Sequence, residues 1–436
     1  MKLRDVLEID FALLFAAMIL AVFGILFIYS SGVTSEGVLV STEYIRQIIW
    51  AISGVVIALT LAVIDYKKIY TISLYLYLGT IALLLYTCVF GRLVNGARAW
   101  IGIGDFGIQP SEFAKITTIL FLARYLDGSR RNQNTFARFL ISGLIVVIPM
   151  GIILIQPDFG TSLVFIPILL VMTFVAGVSI RYVLFLLGFF GLTAVLMVLP
   201  LWQTYIMGGA LPALTILSNT RFVGITILAL AVVSGIALFG FIRYKKRYFY
   251  WIVYVAAIIM LALGVSLVSH KVLKDYQLMR LIVFLDPNVD PRGSGWNIIQ
   301  SITAIGSGGF LGKGYLQGTQ SHYRFLPQQS TDFIFSIFSE EWGLVGGALV
   351  FLLFLLICLR LVRIMKTTAD PFGAYITAGL SGMYIFHFLI NVGMTMGIMP
   401  ITGIPLLFMS YGGSAIWAAM SGIGLALSVY MRRYRR

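Results

Sequence analysis

The chain has 436 residues, of which 60% are hydrophobic and only 11% are charged, with a formal net charge of +14 and a mean hydropathy of +0.97. A soluble domain could not hide this much apolar surface. The two cysteines and three histidines are scattered along the sequence. This excludes a disulfide framework and a paired-cysteine metal site, and argues against a zinc site built from histidines.

Apolar segments follow one another along the chain and predict an all-α, polytopic membrane protein with about 12 spanning segments. The first, Phe11 to Tyr29, is long for a signal peptide and lacks a small-residue cleavage site, so we expect it to remain as the first helix. We expect one transmembrane domain over residues 1–436. The apolar runs cover roughly 11–29, 46–64, 71–90, 112–126, 138–155, 160–177, 181–200, 222–242, 250–268, 333–360, 374–398 and 404–431.

Two of these runs, 222–242 and 250–268, flank the basic link Arg243–Arg247 and have the pattern of an added hairpin. We therefore predict an inserted hairpin region at 201–250. Because a hairpin crosses the membrane an even number of times, it leaves the predicted topology of all later segments unchanged.

Positive charge is concentrated on one side of the predicted bundle. The two termini and every second link hold 20 of the 31 Lys and Arg residues but only 6 of the 17 Asp and Glu residues. The positive-inside rule makes this side cytoplasmic, so both termini are predicted to be cytoplasmic and residues 270–332 extracellular. Topology and contact with anionic membrane lipids explain the basic face, and nucleic-acid binding is not predicted.

Residues 270–332 form a long polar, glycine-rich segment between apolar runs. A loop of this length is uncommon unless it is functional or disordered, and its many aromatic residues argue against disorder. We expect an ordered cap over a membrane-embedded site, with a helical stretch at 296–305 lying on the membrane surface. The glycine run at 306–314 lacks the spacing of a nucleotide-binding phosphate loop.

Two aspartates in this loop, Asp286 and Asp290, each precede a proline. The following proline disfavours the helical conformation, so Asp286 is predicted to be extended. Ordinary turn chemistry is the alternative explanation for both carboxylates.

A second polar cluster runs from Asn95 through Arg98 and Trp100 to Glu112 and Lys115. Glu112 and Lys115 are three residues apart and share one helical face. Either they form a structural ion pair, which lets both charges sit in the membrane, or Lys115 meets a phosphate of a ligand.

Further acidic residues lie at the ends of predicted spanning helices. Asp158 follows Gln156-Pro157 in a turn, where it either caps the next helix or belongs to the site. Asp332 precedes the run that holds Glu340 and Glu341. Burying both glutamates unpaired is implausible, so at least one should meet Lys115, an arginine or a polar helix end.

These motifs, in this order, resemble the shape, elongation, division and sporulation (SEDS) family over nearly the whole chain, except the added hairpin. Gly318-Thr319-Gln320-Ser321 is similar to the elongation branch more than to the division branch. The matching motifs are Asn95–Trp100, Gln109–Lys115, Gln156–Ser162, Phe284–Pro291, Gly306–Gly314, Gly318–Ser321, Thr331–Phe335, Ile404-Pro405 and Ser410–Ser414.

The resemblance implies a peptidoglycan glycosyltransferase that polymerises lipid II at the outer face of the bacterial cytoplasmic membrane, during cell elongation and shape maintenance. It implies a class B penicillin-binding protein, which supplies the transpeptidase, as partner. It also implies that 270–332 is an extracellular catalytic loop, since the family's essential aspartate maps onto Asp286.

The reaction joins a sugar hydroxyl to an anomeric carbon that carries a polyprenyl pyrophosphate. The hydroxyl needs a base, and we assign Asp286. The departing pyrophosphate needs fixed cations, for which Lys115 is the first candidate. A divalent cation such as Mg²⁺ or Mn²⁺ is compatible with this chemistry, but no acidic cluster in the sequence identifies its site. The remaining substrate-binding candidates are Arg98, Arg280, Lys313, Glu112, Trp100, Asp158, Gln320, Ser321 and Asp332.

Two other functions fit part of the sequence. A flippase for the same lipid would use polar groups on buried helices, but no relay of charges reaches the cytoplasmic half. A scaffold that only recruits a penicillin-binding protein would need no catalytic carboxylate. Both stay open as alternatives to the glycosyltransferase.

Overall fold

The computed structural model describes residues 9–94, 96–103, 106–131, 135–207, 219–272 and 275–434, and these are mostly helical. Of the sequence motifs, Asn95 lies outside the described residues, as do 208–218 of the predicted hairpin region and 273–274 of the predicted loop. The helices are α1 (Phe11–Ser31), α2 (Glu43–Val63), α3 (Tyr66–Phe90), α4 (Pro110–Gly128), α5 (Thr135–Ile155), α6 (Phe159–Leu163), α7 (Phe165–Val175), α8 (Ile180–Trp202), α9 (Thr220–Tyr244), α10 (Arg247–Val272), α11 (Asp275–Leu285), α12 (Ser294–Ser307), α13 (Thr319–His322), α14 (Ile334–Thr367), α15 (Pro371–Thr395) and α16 (Gly413–Met431).

Within the described ranges, 10 helices are long and apolar enough to cross a membrane. The all-α membrane fold is therefore confirmed, while two of the 12 predicted spans differ from the rest. The run at 112–126 lies in α4, which carries Glu112, Lys115, Arg124 and Asp127 and is less apolar. The run at 160–177 is divided at Val164 into α6 and α7 and is shorter.

A small antiparallel sheet, which was not predicted from the sequence, separates α3 from α4. Its strands are β1 (Arg92–Val94), β2 (Ala97–Ile103) and β3 (Phe106–Ile108), with β2 in the middle. The ring of Trp100 on β2 packs on Gly107, where an added Cβ would lie 2.9 Å from the ring. These short strands present Arg98 at an exposed position.

The chain divides into two compact units. The first comprises Met1–Val178 and Gln300–Arg436. Its interior is built around α15 and α16, in which 67% and 78% of an apolar 18-residue stretch are buried. The hydroxyl of Tyr384 on α15 donates to the carbonyl of Ala419 on α16 at 2.6 Å, which satisfies a phenol that has no access to water. Helix α2 packs on α16, and α1 packs on α14.

The second unit, Ser179–Ile299, contains α8 to α11 and the start of α12. Helix α10 packs on both α8 and α9. The hydroxyl of Tyr254 on α10 donates to the carbonyl of Arg181 on α8 at 2.6 Å. The predicted hairpin corresponds to α9 and α10, joined through Lys245 in the left-handed conformation. That this pair is an insertion stays a prediction.

The predicted extracellular loop, 270–332, contains more helix than its polar sequence indicates. It includes α11, a single 3₁₀ turn at Pro287–Val289, α12 and the short α13. Helix α12 covers the predicted surface helix at 296–305. The segment between α12 and α13 contains glycines with positive φ, including Gly309, Gly312 and Gly314.

Candidate active site

Lys115 and Glu112, on the first two turns of α4, form a buried ion pair. The ammonium lies 2.8 Å from both carboxylate oxygens, and the two side chains are only 1% and 3% exposed. The same ammonium lies 3.1 Å from Nε2 of His387 on α15. A lysine has three N–H donors, so these contacts use its hydrogen-bonding capacity.

Helix α15 holds an irregular segment, 401–412, against this pair. Nδ1 of His387 lies 3.1 Å from the carbonyl of Pro405, and Nδ2 of Asn391 donates to the neighbouring carbonyl of Ile404 at 2.8 Å. His387 and Asn391 are four residues apart and therefore lie on one face of α15. Asn391 also donates to the carbonyl of Asp332 at 3.0 Å, which brings the Thr331-Asp332 motif to the same face.

Asp158 connects a second pair of predicted motifs. Its Oδ2 accepts from Nε2 of Gln109 at 2.9 Å, and the backbone N–H of Gln109 donates to Oγ of Ser414 at 2.9 Å. Three of the sequence motifs therefore meet at one place in the first unit. They are Gln109–Lys115, Gln156–Ser162 and Ser410–Ser414.

Asp158 also caps α6, which is one of the two roles expected for it from the sequence. Its carboxylate accepts from the N–H of Thr161 at 3.1 Å and from the Thr161 hydroxyl at 2.8 Å. Burial raises the pKa of the Asp158 carboxyl above its ordinary value, although the two bonds from Thr161 act in the opposite direction. The close packing of Gly160 on the Thr402 carbonyl, 2.2 Å from an added Cβ, brings 401–412 to this turn.

The segment that precedes α14 is fixed by Ser410. Its hydroxyl donates to the carbonyl of Thr331 at 2.6 Å and accepts from the N–H of Leu406 at 2.8 Å. The N–H of Tyr411 donates to the carbonyl of Ser330 at 2.8 Å. These bonds place Asp332 beside Gly403, where an added Cβ would lie 3.7 Å from Oδ2 of Asp332.

The buried carboxylate of Glu340 is surrounded by three of the predicted substrate-binding residues, Lys313, Gln320 and Ser321. Its Oε1 accepts from the Lys313 ammonium at 2.8 Å and from the Gln320 N–H at 2.9 Å. The N–H of Thr319 lies at 2.8 Å from the same oxygen, and the N–H of Ser321 lies at 3.3 Å from Oε2. Glu340 therefore meets a polar helix end, one of the predicted partners, while its cation is Lys313 rather than Lys115 or an arginine. It holds the loop that precedes α13.

Glu341 ties the same loop to the end of α1. It accepts a hydrogen bond from the hydroxyl of Ser30 and another, at 3.0 Å, from the N–H of Leu316. Nε2 of His322 lies 3.7 Å away, while its Nδ1 lies 2.7 Å from the carbonyl of Val33. The opposite end of α1 carries the Asp10–Arg360 ion pair, at 2.8 Å.

Asp286 lies in the second unit, directly after α11. Its backbone is extended, with φ −146° and ψ 105°, as the following proline predicts. Oδ1 accepts from the backbone N–H and from the side-chain amide of Asn288, both at 2.9 Å. From the described residues, Oδ2 accepts no hydrogen bond, and the side chain is half-buried.

The other predicted residues lie on two elements. Arg98 is exposed on β2, Trp100 is half-buried on the same strand, and Arg280 is half-buried on α11 in the second unit. Among the described side chains, no three His, Cys, Asp or Glu residues are grouped to hold a metal ion. Sequence reasoning missed His387 and Asn391, because a lone histidine or asparagine in an apolar run gives no spacing signal.

Comparison with known proteins places this arrangement in a family. Among proteins of known sequence, the RodA peptidoglycan glycosyltransferase of Treponema pallidum (strain Nichols) is 50% identical, covering 99% of this chain and 100% of that protein. Stage V sporulation protein E of Bacillus subtilis is 31% identical, covering 98% of each chain. The peptidoglycan glycosyltransferase MrdB of Escherichia coli is 30% identical, covering 98% of this chain and 95% of that protein.

Solved structures agree with these relatives. A chain from a peptidoglycan synthase complex, solved to explain the structural coordination of polymerization and crosslinking, has a TM-score of 0.68 and 25% identity, covering 98% of this chain and 99% of that one. The rod shape determining protein RodA of Thermus thermophilus has a TM-score of 0.62 at 23% identity, covering 98% of each chain, and supports the fold alone. The model of the FtsW, RodA and SpoVE family, described as "Cell cycle protein", matches residues 11–207 and 200–435. The chain is thus an integral membrane protein that belongs to the FtsW/RodA/SpoVE family.

Proposed function

We propose that this chain is a peptidoglycan glycosyltransferase that polymerises lipid II into β-1,4 glycan strands during cell elongation. Its 50% identity over 99% of its length with an enzyme of that name is the observation that carries the proposal. The likeness to a chain of a synthase complex supports a partner that crosslinks the glycan, a class B penicillin-binding protein. Lipid II serves as both donor and acceptor.

Asp286 is the general base in this proposal. The acceptor hydroxyl is a weak nucleophile, and a carboxylate in hydrogen-bond reach can take its proton. Asn288 donates to Oδ1 and fixes the carboxylate, which leaves Oδ2 directed away from that bond. The acceptor oxygen attacks the anomeric carbon, the bond to the pyrophosphate breaks, and the proton goes to Asp286. A single displacement inverts the anomeric centre.

The departing pyrophosphate gains negative charge and needs fixed positive groups. Arg98 offers an exposed guanidinium. Lys115 has all its partners within the protein, so it reaches a phosphate oxygen only by exchanging one of them. Exchanging one of the two Glu112 oxygens keeps the ion pair through the other oxygen and also keeps the contact with His387.

The site belongs at the outer face of the bacterial cytoplasmic membrane. The Asp10–Arg360 pair and the Glu341 cluster lie at opposite ends of α1, whose 21 residues span about 30 Å. The positive-inside rule assigns the end rich in arginine and lysine to the cytoplasm. The loop that contains Glu341's partners then faces outward, where lipid II is polymerised.

Incubation of the purified protein with fluorescent lipid II in detergent tests the function. We expect long glycan strands without any transmembrane gradient, whereas a flippase or a scaffold would make none. Asp286→Asn should abolish the strands while the thermal midpoint and elution volume stay those of the wild type. Asp290→Asn, which changes the other aspartate of the same motif, is the matched control and should stay active. Strands from Asp286→Asn would refute the base assignment.

A further inference from the structure

We propose that His387 is a positioning residue that directs the ammonium of Lys115 by accepting its hydrogen bond at Nε2. The proposal rests on the proposed function, because it concerns how Lys115 is presented to the leaving group. The two residues are 272 positions apart in sequence, and both are 1% exposed. Their contact is therefore made by the fold and is shielded from water.

The hydrogen bonds of the imidazole settle which nitrogen carries the proton. The carbonyl of Pro405, 3.1 Å from Nδ1, can only accept, so Nδ1 is the donor. Nε2 faces the ammonium of Lys115, which can only donate, so Nε2 carries the lone pair. The neutral tautomer with a proton on Nδ1 satisfies both neighbours, and a doubly protonated ring would oppose Lys115.

The ring is held on a rigid support. Asn391, one turn further along α15, donates to the carbonyl of Ile404, directly before Pro405. Two side chains of one helix face thus hold two consecutive carbonyls. The imidazole cannot turn away from Lys115 without breaking its own bond to Pro405. A change at His387 is consequently transmitted to the direction of the ammonium.

Glu112 accepts from two of the three N–H donors of Lys115, at 2.8 Å each, and neutralises the charge. Nε2 of His387 accepts from the third donor, so the orientation of the ammonium depends on both residues. His387 adds no charge, so its contribution is geometric rather than electrostatic. Loss of a hydrogen bond to a charged group changes an equilibrium constant by about tenfold or more. We expect an effect of this size when the contact between His387 and Lys115 is lost.

Two substitutions separate the two hydrogen bonds of the ring. His387→Gln reaches the position of Nε2 and can offer an oxygen to Lys115. His387→Asn reaches only the position of Nδ1 and can donate to Pro405. If the contact with Lys115 matters, glutamine should keep the polymerisation rate on lipid II within about threefold of the wild type, whereas asparagine should lower kcat about tenfold. A structural role through Pro405 would give the reverse order.

The thermal midpoints of the same variants keep the test valid if a substitution weakens folding. In a cycle with Lys115→Met, the midpoint change caused by His387→Asn should shrink once the lysine is absent, because its partner is gone. Additive midpoint changes, or equal rates for glutamine and asparagine, would overturn the proposal. A wild-type protein that makes no glycan would refute the proposed function instead, and the cycle in thermal midpoints would still report on the contact.

Discussion

The ammonium of Lys313 lies 2.8 Å from Oε1 of Glu340, a carboxylate with no exposed surface. The Lys313 side chain is 25% exposed, so the pair joins the surface loop before α13 to the interior of α14. The N–H of Lys313 donates to the carbonyl of the same glutamate at 3.1 Å. The loop is therefore attached to α14 through both the side chain and the backbone of one lysine.

Lys313→Met should destabilise the protein, because it removes the cation beside a buried carboxylate. Breaking a buried pair by removing one partner costs about 3 kcal/mol, and the partial exposure of Lys313 places the expected loss at or below this figure. Thermal unfolding in detergent measures it. Lys68→Met, at an exposed lysine of α3, is the matched control and should leave the midpoint almost unchanged. Equal midpoints for the two variants would show that the ion pair adds no stability.

Asp158→Asn should change how stability depends on pH. Burial raises the pKa of Asp158 in the folded protein, so the folded state binds this proton more tightly than the unfolded chain does. Stability from this group is present below the unfolded pKa, near 3.9, and is lost as the pH rises through the higher folded value. The wild-type midpoint should therefore fall over that interval.

The comparison is a series of thermal midpoints from pH 4 upward for both proteins. As the pH rises, the midpoint of the wild type should fall relative to that of Asp158→Asn, because asparagine does not ionise. Thr161→Val removes one hydrogen bond that favours the charged form of Asp158. The thermal midpoint of this variant should therefore fall further with rising pH than that of the wild type. Parallel curves for wild type and Asp158→Asn would contradict the assignment of the titration to this carboxyl.

Much of the fold follows from the sequence, since long apolar runs leave spanning helices as the main solution in a membrane. The boundaries near the site do not. The run predicted to begin at 404 becomes helical only at Gly413, because Asn391 and Ser410 hold the backbone of the preceding segment in an irregular path. Apolar periodicity cannot reveal hydrogen bonds from residues elsewhere in the chain.

The candidate site, like the fold, could be predicted only in part from the sequence. The pairing of Glu112 with Lys115 follows from their spacing of three on one helix, and the capping role of Asp158 follows from its place in a turn. The contact of Lys115 with His387 depends on how α4 and α15 pack. The sequence predicted Lys115, an arginine or a polar helix end as the partner of Glu340, and only the path of the loop selects Lys313.

Gly343→Ala should weaken the attachment of the glycine-rich loop to α14. Gly343 interrupts this helix with φ 64° and ψ −158°, a conformation that residues with a side chain rarely adopt. An added Cβ would lie 2.3 Å from the N of Gly312. We expect a loss of about 2 kcal/mol or more in the free energy of unfolding.

The control for this variant is Gly143→Ala, inside α5, where an added Cβ meets nothing within 4 Å. It should leave stability unchanged or raise it by up to about 1 kcal/mol, since alanine favours helix. Thermal unfolding separates the two. Similar midpoints for both variants would mean that the break at Gly343 is not required by the fold.

Ser410→Ala should separate the segment before α14 from 401–412. The Ser410 hydroxyl both donates to Thr331 and accepts from Leu406, so alanine leaves a half-buried carbonyl and a buried N–H without this partner. The expected cost is about 2 kcal/mol. Ser421→Ala is matched to it, because the Ser421 hydroxyl donates within its own helix, to the carbonyl of Trp417. If glycan polymerisation needs Thr331-Asp332 held in place, Ser410→Ala should also lower the polymerisation rate at temperatures below the melting range. Ser421→Ala should leave that rate unchanged. Polymerisation rates at a temperature where both variants are fully folded decide this, and equal rates would limit Ser410 to a role in stability.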